Sequence, residues 1–204
     1  SIIWSFSYAF GMGISGFIVN FYGVQIAFII DAIIFFTALI IFIRIDFIVK
    51  ASTTTDKIFQ LIKDGFIYIK NNKIILHLII LHSCVGLTSF DALITILAKN
   101  EYKYIISVPL AIGISNAVRA VALMIGPIFI SKYVTKENLH YLMFFQGTAI
   151  IFWGFVQESF YVSLIALFIV GLSTTTLWSF TYALLQNKCD EKYIGRVISY
   201  NDMF

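Results

Sequence analysis

Six stretches of this chain are each long and apolar enough to cross a bilayer. A helical span needs about 20 apolar residues to cover roughly 30 Å of hydrocarbon. The runs fall at about 2–20, 23–43, 74–98, 104–131, 139–157 and 160–186, here runs a to f. Their interior charges are Asp31, Asp91 and Arg119. A soluble globule cannot hide this much apolar side chain. Hydrophobic residues make up 60 % of the chain and charged ones 12 %, against about 25 % charged in an ordinary soluble domain. The expected class is an all-α membrane protein with six transmembrane helices and lipid as its solvent.

The gaps a–b and e–f are only "NFYG" and "QESF", so those runs form helical hairpins. The longest polar interval, about 44–73, contains "KASTTTDK", which reads as a linker. Behind it Ile58, Leu61, Ile62, Phe66 and Ile69 share one helical face, with Lys57, Lys63, Asp64 and Lys70 around the rest. Asp56 is placed to cap this helix. An amphipathic cytoplasmic helix on the membrane surface is expected; an ordinary soluble linker helix is the alternative.

Lysine and arginine set the orientation. One side collects Arg44, Lys50, Lys57, Lys63, Lys70, Lys73, Lys132, Lys136, Lys188, Lys192 and Arg196; the other has Lys99 and Lys103. The first side is cytoplasmic, and run a enters from it. The net charge of +3 is small and its carriers lie between apolar runs, so no nucleic-acid partner is expected. Cys84 and Cys189 lie in dissimilar settings and suggest no disulfide. The start shows neither a basic leader nor a small-residue cleavage site, so no signal peptide is expected, and both ends read as cut from a longer chain.

The segment "GMGISG", residues 11–16, fits the G-x-G-x-x-G dinucleotide fingerprint, with Asp31 where a ribose-binding acid would stand. The fingerprint needs an amphipathic helix behind it. The residues after Gly16 offer no polar face, so the glycines are read as helix-packing residues. Ser7, Gly11 and Ser15 recur at i, i+4 and i+8, a small-residue stripe that lets backbones approach closely, and Gly13 and Gly16 broaden it.

Several segments resemble the major facilitator superfamily of transporters, in its drug-efflux-like branch. "SYAFGMGISGFIVNFYG" looks like the fifth span, where exporters carry G-x-x-x-G-P-x-x-G-G. Gly11 and Gly16 match; Ser7, Met12 and Ser15 depart. "VQIAFIIDAIIFFTALIIFIRI" is similar to the sixth span. "IFQLIKDGFIYIKNNKIILHLIIL" resembles the central cytoplasmic helix and seventh span. "IGPIFISKYVTKENL" keeps Gly126, Lys132 and Lys136 of the loop between spans eight and nine, without its aspartate. "CDEKYIGRVISY" resembles the loop after span ten through Asp190, Glu191, Gly195 and Arg196. The resemblance implies spans five to ten of a twelve-helix bundle. Residues 1–44 would close the N-terminal half, 45–73 link the halves, and 74–204 open the C-terminal half. It implies a secondary transporter in a bacterial inner membrane. Its activity would be proton-coupled export of a small amphipathic compound by alternating access, with the remaining helices of the full-length protein as partners. The two cytoplasmic loops would gate by pairing charges across helix ends.

Ionisable groups inside a bilayer are costly, roughly 2.5–3.5 kcal/mol on insertion scales, and face a cavity or a partner. At 1.5 Å per residue, Asp31 lies about 14 Å, Asp91 about 10 Å and Arg119 about 20 Å below the outer surface. Direct pairing of Arg119 with either acid therefore needs tilt or sliding. The resemblance places run c on the central cavity, which makes Asp91 the leading contact for substrate or proton. Asp31 suits a packing role. Arg119 suits either an anion site or a structural one. In run f, Gly171, Thr175, Ser179, Tyr182 and Gln186 recur on one face beside Trp178. That face turns either to a cavity or to helix–helix hydrogen bonds. His77, His82 and Cys84 lack metal-ligand spacing. No reactive set and no phosphate loop stand out, so no cofactor, metal or enzyme activity is expected. A non-transporting membrane scaffold is the rival reading. Convergence of Asp91 with the Thr175–Tyr182 face on one cleft would favour transport.

Overall fold

The computed structural model describes residues 2–45, 58–87 and 90–203. Among these the regular elements are helices: α1 Ile2–Tyr22, α2 Val24–Ile43, α3 Ile58–Asn71, α4 Lys73–Gly86, α5 Phe90–Asn100, α6 Val108–Ile130, α7 Leu139–Val156, α8 Phe160–Lys188 and α9 Ile194–Asn201. Asp56, Lys50, Lys57 and the "KASTTTDK" linker lie outside the described residues. Five helical segments are long and apolar enough to span: Val24–Ile43, Lys73–Asn100, Val108–Tyr133, Leu139–Val156 and Phe160–Lys188. To these α1 adds a 21-residue helix lying along α6.

Local chemistry explains the boundaries. Gly23 joins α1 to α2 at φ +83°, a left-handed conformation that glycine adopts without strain. The Asn72 side chain accepts from the Ile75 N–H and caps α4. Pro109 stands in the first turn of α6, where its missing N–H costs nothing. Run c is described as α4, ending at Gly86, and α5, starting at Phe90, and the two together make up the single candidate span Lys73–Asn100.

Two clusters mark the ends of the bundle. At one, Tyr102 is buried with Ala98, Ala111 and Phe160. Nearby, Ser107 Oγ donates to Asn20 Oδ1 at 2.5 Å. At the other, Ile69 of α3 packs with Ile75, Leu185, Cys189 and Val197. Lys99 and Lys103 thus belong to the first end, and Lys70, Lys73, Lys188, Lys192 and Arg196 to the second, as the charge asymmetry requires.

The central element is α6, which packs against α1 on one side and α8 on the other. Both contacts run backbone to backbone. A Cβ on Gly16 would lie 2.8 Å from Gly113 Cα, and one on Gly171 would lie 2.6 Å from Arg119 O. The small face of α1 is therefore Gly13 and Gly16. Ser7, Gly11 and Ser15, expected as the packing stripe, are exposed, and a Cβ on Gly11 would meet nothing within 4 Å. All three fingerprint glycines lie inside one continuous helix, which rules out the strand–turn–helix of a dinucleotide site.

The α3 helix forms where expected, and its apolar face is divided. Gly65 and Ile69 are buried, whereas Ile62 and Phe66 are exposed. The buried side docks on protein. A Cβ on Gly65 would lie 3.0 Å from Arg196 Cβ, Tyr68 stacks on Tyr193 at 4.2 Å, and the Tyr200 hydroxyl donates to Ile62 O at 2.9 Å.

Candidate functional site: a charged cavity between four spans

Arg119 sits at mid-length on α6 and is 8 % exposed. A guanidinium in that position needs partners, because an unpaired buried charge costs several kcal/mol. Its Nη2 donates to Asp91 Oδ1 at 2.9 Å, to the Tyr8 hydroxyl at 2.8 Å and to Asn116 Oδ1 at 3.3 Å. The Tyr8 hydroxyl itself donates to Asp91 Oδ1 at 2.8 Å. The Phe90 ring lies 5.0 Å from the guanidinium carbon, within cation–π range. Three separate helices, α1, α5 and α6, thus close one hydrogen-bonded cluster. Among the described residues Arg119–Asp91 is the single ion pair. The separation in depth that the residue count suggested is bridged by the long arginine stem, with Asp91 in the first turn of α5.

The cluster forms one wall of a cavity of about 600 Å³. Asp91, Arg119, Thr175 and Trp178 all line it, joined by Tyr8 and Thr174. Val85, Phe90 and Leu123 make the rest of the wall apolar. Asp91 is the accessible member, with 67 % of its side chain exposed against 10 % for Arg119. Behind the hydroxyl wall, Gln146 of α7 donates to Thr174 Oγ1 at 2.9 Å and accepts from Ser173 Oγ. These bonds fix α8 in rotation.

The polar face expected on α8 is shared among several neighbours. Gly171 is pressed against α6, and Thr175 and Trp178 face the cavity. Ser179, Tyr182 and Gln186 are not among its lining. Tyr182 lies 5.7 Å from the His82 ring, and Gln186 is exposed. Asp31 is exposed on α2, which has no buried residue, and makes no hydrogen bond or ion pair among the described residues. In the last loop Asp190, Glu191 and Gly195 are exposed, and Arg196 lies over the Tyr193 ring at 5.3 Å. No charge pairing across helix ends occurs there among the described residues. Lys132 and Lys136 are likewise exposed, whereas Gly126 is buried against Leu172 of α8. Burial pushes the Tyr68 hydroxyl and the Cys189 thiol above their ordinary ranges.

Tyr8, Asn116 and Phe90 belong to the cluster without having been singled out in the sequence. Asn116 carried a usable signal: it precedes Arg119 by three residues, one turn away on the same face of an apolar span. Tyr8 carried none, being one of 11 tyrosines.

A polytopic helical bundle with a paired charge, hydroxyls and aromatic rings around a cavity of about 600 Å³ suits the class of membrane transport proteins. The chain matches the Major Facilitator Superfamily over residues 1–204 and belongs to that family of secondary transporters. No curated protein and no solved structure matches it.

Proposed function

We propose that the chain supplies the substrate cavity of a proton-coupled exporter for a small amphipathic compound, located in a bacterial inner membrane. The observation that carries this reading is the convergence of Asp91, Arg119, Thr175 and Trp178 on one cavity. The sequence resemblance supports the division into 1–44, 45–73 and 74–204 as parts of two halves and their linker. In such transporters the halves rock around a site near the midplane. The lining suits a solute with an apolar body and one polar or cationic group. Val85, Phe90, Leu123 and Trp178 would hold the body, and Thr174, Thr175 and Asp91 the polar end. A cationic group that takes Asp91 leaves Arg119 hydrogen-bonded to the neutral Tyr8 and Asn116.

The test uses the full-length protein in proteoliposomes with an imposed proton gradient and a panel of cationic and neutral dyes. Gradient-driven dye movement that falls at least tenfold in Asp91→Asn is the expected result. Undiminished flux in that variant removes Asp91 from the pathway, and no movement of any dye by the wild type removes the export reading.

A further inference from the structure

His82 of α4 is buried, 1 % exposed, one layer behind the cavity wall. Its Nδ1 lies 2.8 Å from Thr181 Oγ1. Thr181 Oγ1 in turn donates to Leu177 O at 2.8 Å. A threonine hydroxyl has one hydrogen; in the arrangement where it goes to Leu177 O, the bond to the ring comes from the histidine. In that tautomer Nδ1 carries the hydrogen and Nε2 a lone pair. Nε2 is buried and has no hydrogen-bond partner among the described residues. A buried acceptor without a partner is costly to keep.

Trp178 stands between this nitrogen and the cavity. Its ring lies 4.1 Å from the imidazole, yet it lines the cavity and is 43 % exposed. Gly86 makes the room, because a Cβ there would come within 3.2 Å of Trp178 Cζ3. From α8 the ring also meets Tyr182 at 5.7 Å, and from α9 Asp202 lies within electrostatic range. The α3 helix meets α4 nearer its start, where Tyr68 is the titratable member. Asp91 and Arg119 face the cavity that Trp178 lines. Asp91 Oδ1 already accepts from two donors, whereas His82 Nε2 accepts from none.

We propose that His82 is a proton-binding site, and that its charged form holds Trp178 against the cavity floor. Hydronium in the cavity water passes one proton to Nε2 when the indole swings aside: an O–H bond breaks, an N–H bond forms and a water molecule is left. The imidazolium keeps its Nδ1–H on Thr181 and becomes a cation beside an aromatic ring, an attraction the neutral ring lacks. Deprotonation loosens the indole, which then rests on the neutral ring by van der Waals contact alone. This deepens the transport reading by giving the cavity a proton-dependent wall.

The test is intrinsic tryptophan fluorescence of the intact protein in liposomes, titrated between about pH 8 and 5. Histidinium quenches a neighbouring indole, so a quenching step is expected that is absent in Trp178→Phe. The step is expected to vanish in His82→Gln and to persist in Asp91→Asn; His77 and His140 cannot account for a step lost with His82. Thr181→Val keeps the histidine but removes the acceptor on Nδ1. It is expected to move the midpoint down by about half to one pH unit, the extra strength of that bond when the ring is charged over when it is neutral. A step that survives His82→Gln, a step lost in Asp91→Asn, or an unmoved midpoint in Thr181→Val overturns the proposal. If His82→Gln does not fold, Thr181→Val decides. The titration needs neither substrate nor flux, so the export reading stands or falls separately on the dye assay.

Discussion

Helices α2 and α6 are both apolar and close to the length of a span, yet they live differently. Among its described residues α2 buries none, and its neighbour is α1. By contrast α6 buries Ala111, Gly113, Ser115, Asn116, Arg119, Ala120, Ala122, Leu123 and Gly126. The difference follows from side-chain size. The α2 surface is Ile, Phe and Leu, which lipid accommodates as readily as another helix does. Hydrophobicity therefore places α2 in the membrane without telling it what to touch. The glycines and alanines of α6 let backbones approach, and only close approach gains dispersion contacts that lipid cannot match.

The largest effects should come from filling those approaches. A Cβ on Gly126 would lie 2.0 Å from Leu172 O, and backbone cannot yield there. Gly126→Val is expected to destabilise the bundle by about 3 kcal/mol, the upper end of overpacking costs. Ile34→Val on α2 should change stability by less than about 0.5 kcal/mol. Thermal unfolding in detergent compares the two, and equal shifts would mean that α6 is no tighter than α2.

Next come the two acids. Removing the carboxylate of Asp91 leaves the buried Arg119 with neutral partners. Asp91→Asn should cost about 1–2 kcal/mol, discounted because Asp91 itself is largely exposed. The double variant with Arg119→Met should recover part of that loss, since the uncompensated charge is gone. Asp31→Asn, on a residue with no partner among the described ones, should be neutral or slightly stabilising. An Asp31 effect as large as that of Asp91 would show that α2 has a buried polar contact after all.

Whatever depends on composition along one helix was legible in the sequence: the apolar runs, the hairpin joints, the α3 amphipathic pattern and the rarity of intramembrane charge. Relations between helices were not. Residue counting separated Arg119 from Asp91 because it measures Cα depth, whereas the arginine stem and the late start of α5 bring their heads together. On α1 small residues lie on more than one side, and spacing alone could not choose Gly13 and Gly16 over Ser7, Gly11 and Ser15. The partner decides, because the stretch of α6 opposite Gly16 also carries a glycine, Gly113. His82 read as a poor metal ligand, and its relation to Thr181 and Trp178 exists only once α4 packs on α8.

The smallest effect probes the same contrast outside the membrane, where α3 keeps Ile62 and Phe66 exposed but docks Gly65 and Ile69. Cys189 belongs to that docked cluster, and burial raises its thiol above the ordinary range. The folded contact thus favours the protonated thiol. Its contribution is complete below the ordinary thiol value and is lost as pH rises through the raised one. Because the thiolate is the reactive form, maleimide should label Cys189 slowly near neutrality and faster with rising pH. In a Cys84→Ser background, Gly65→Leu should push α3 off Arg196 and Tyr200 and speed labelling several-fold, with little change in thermal stability. If α3 were held by lipid through Ile62 and Phe66 instead, Gly65→Leu would leave the rate unchanged. Phe66→Asp would then free the helix, which separates a protein-docked helix from a membrane-docked one by the chemistry of a single thiol.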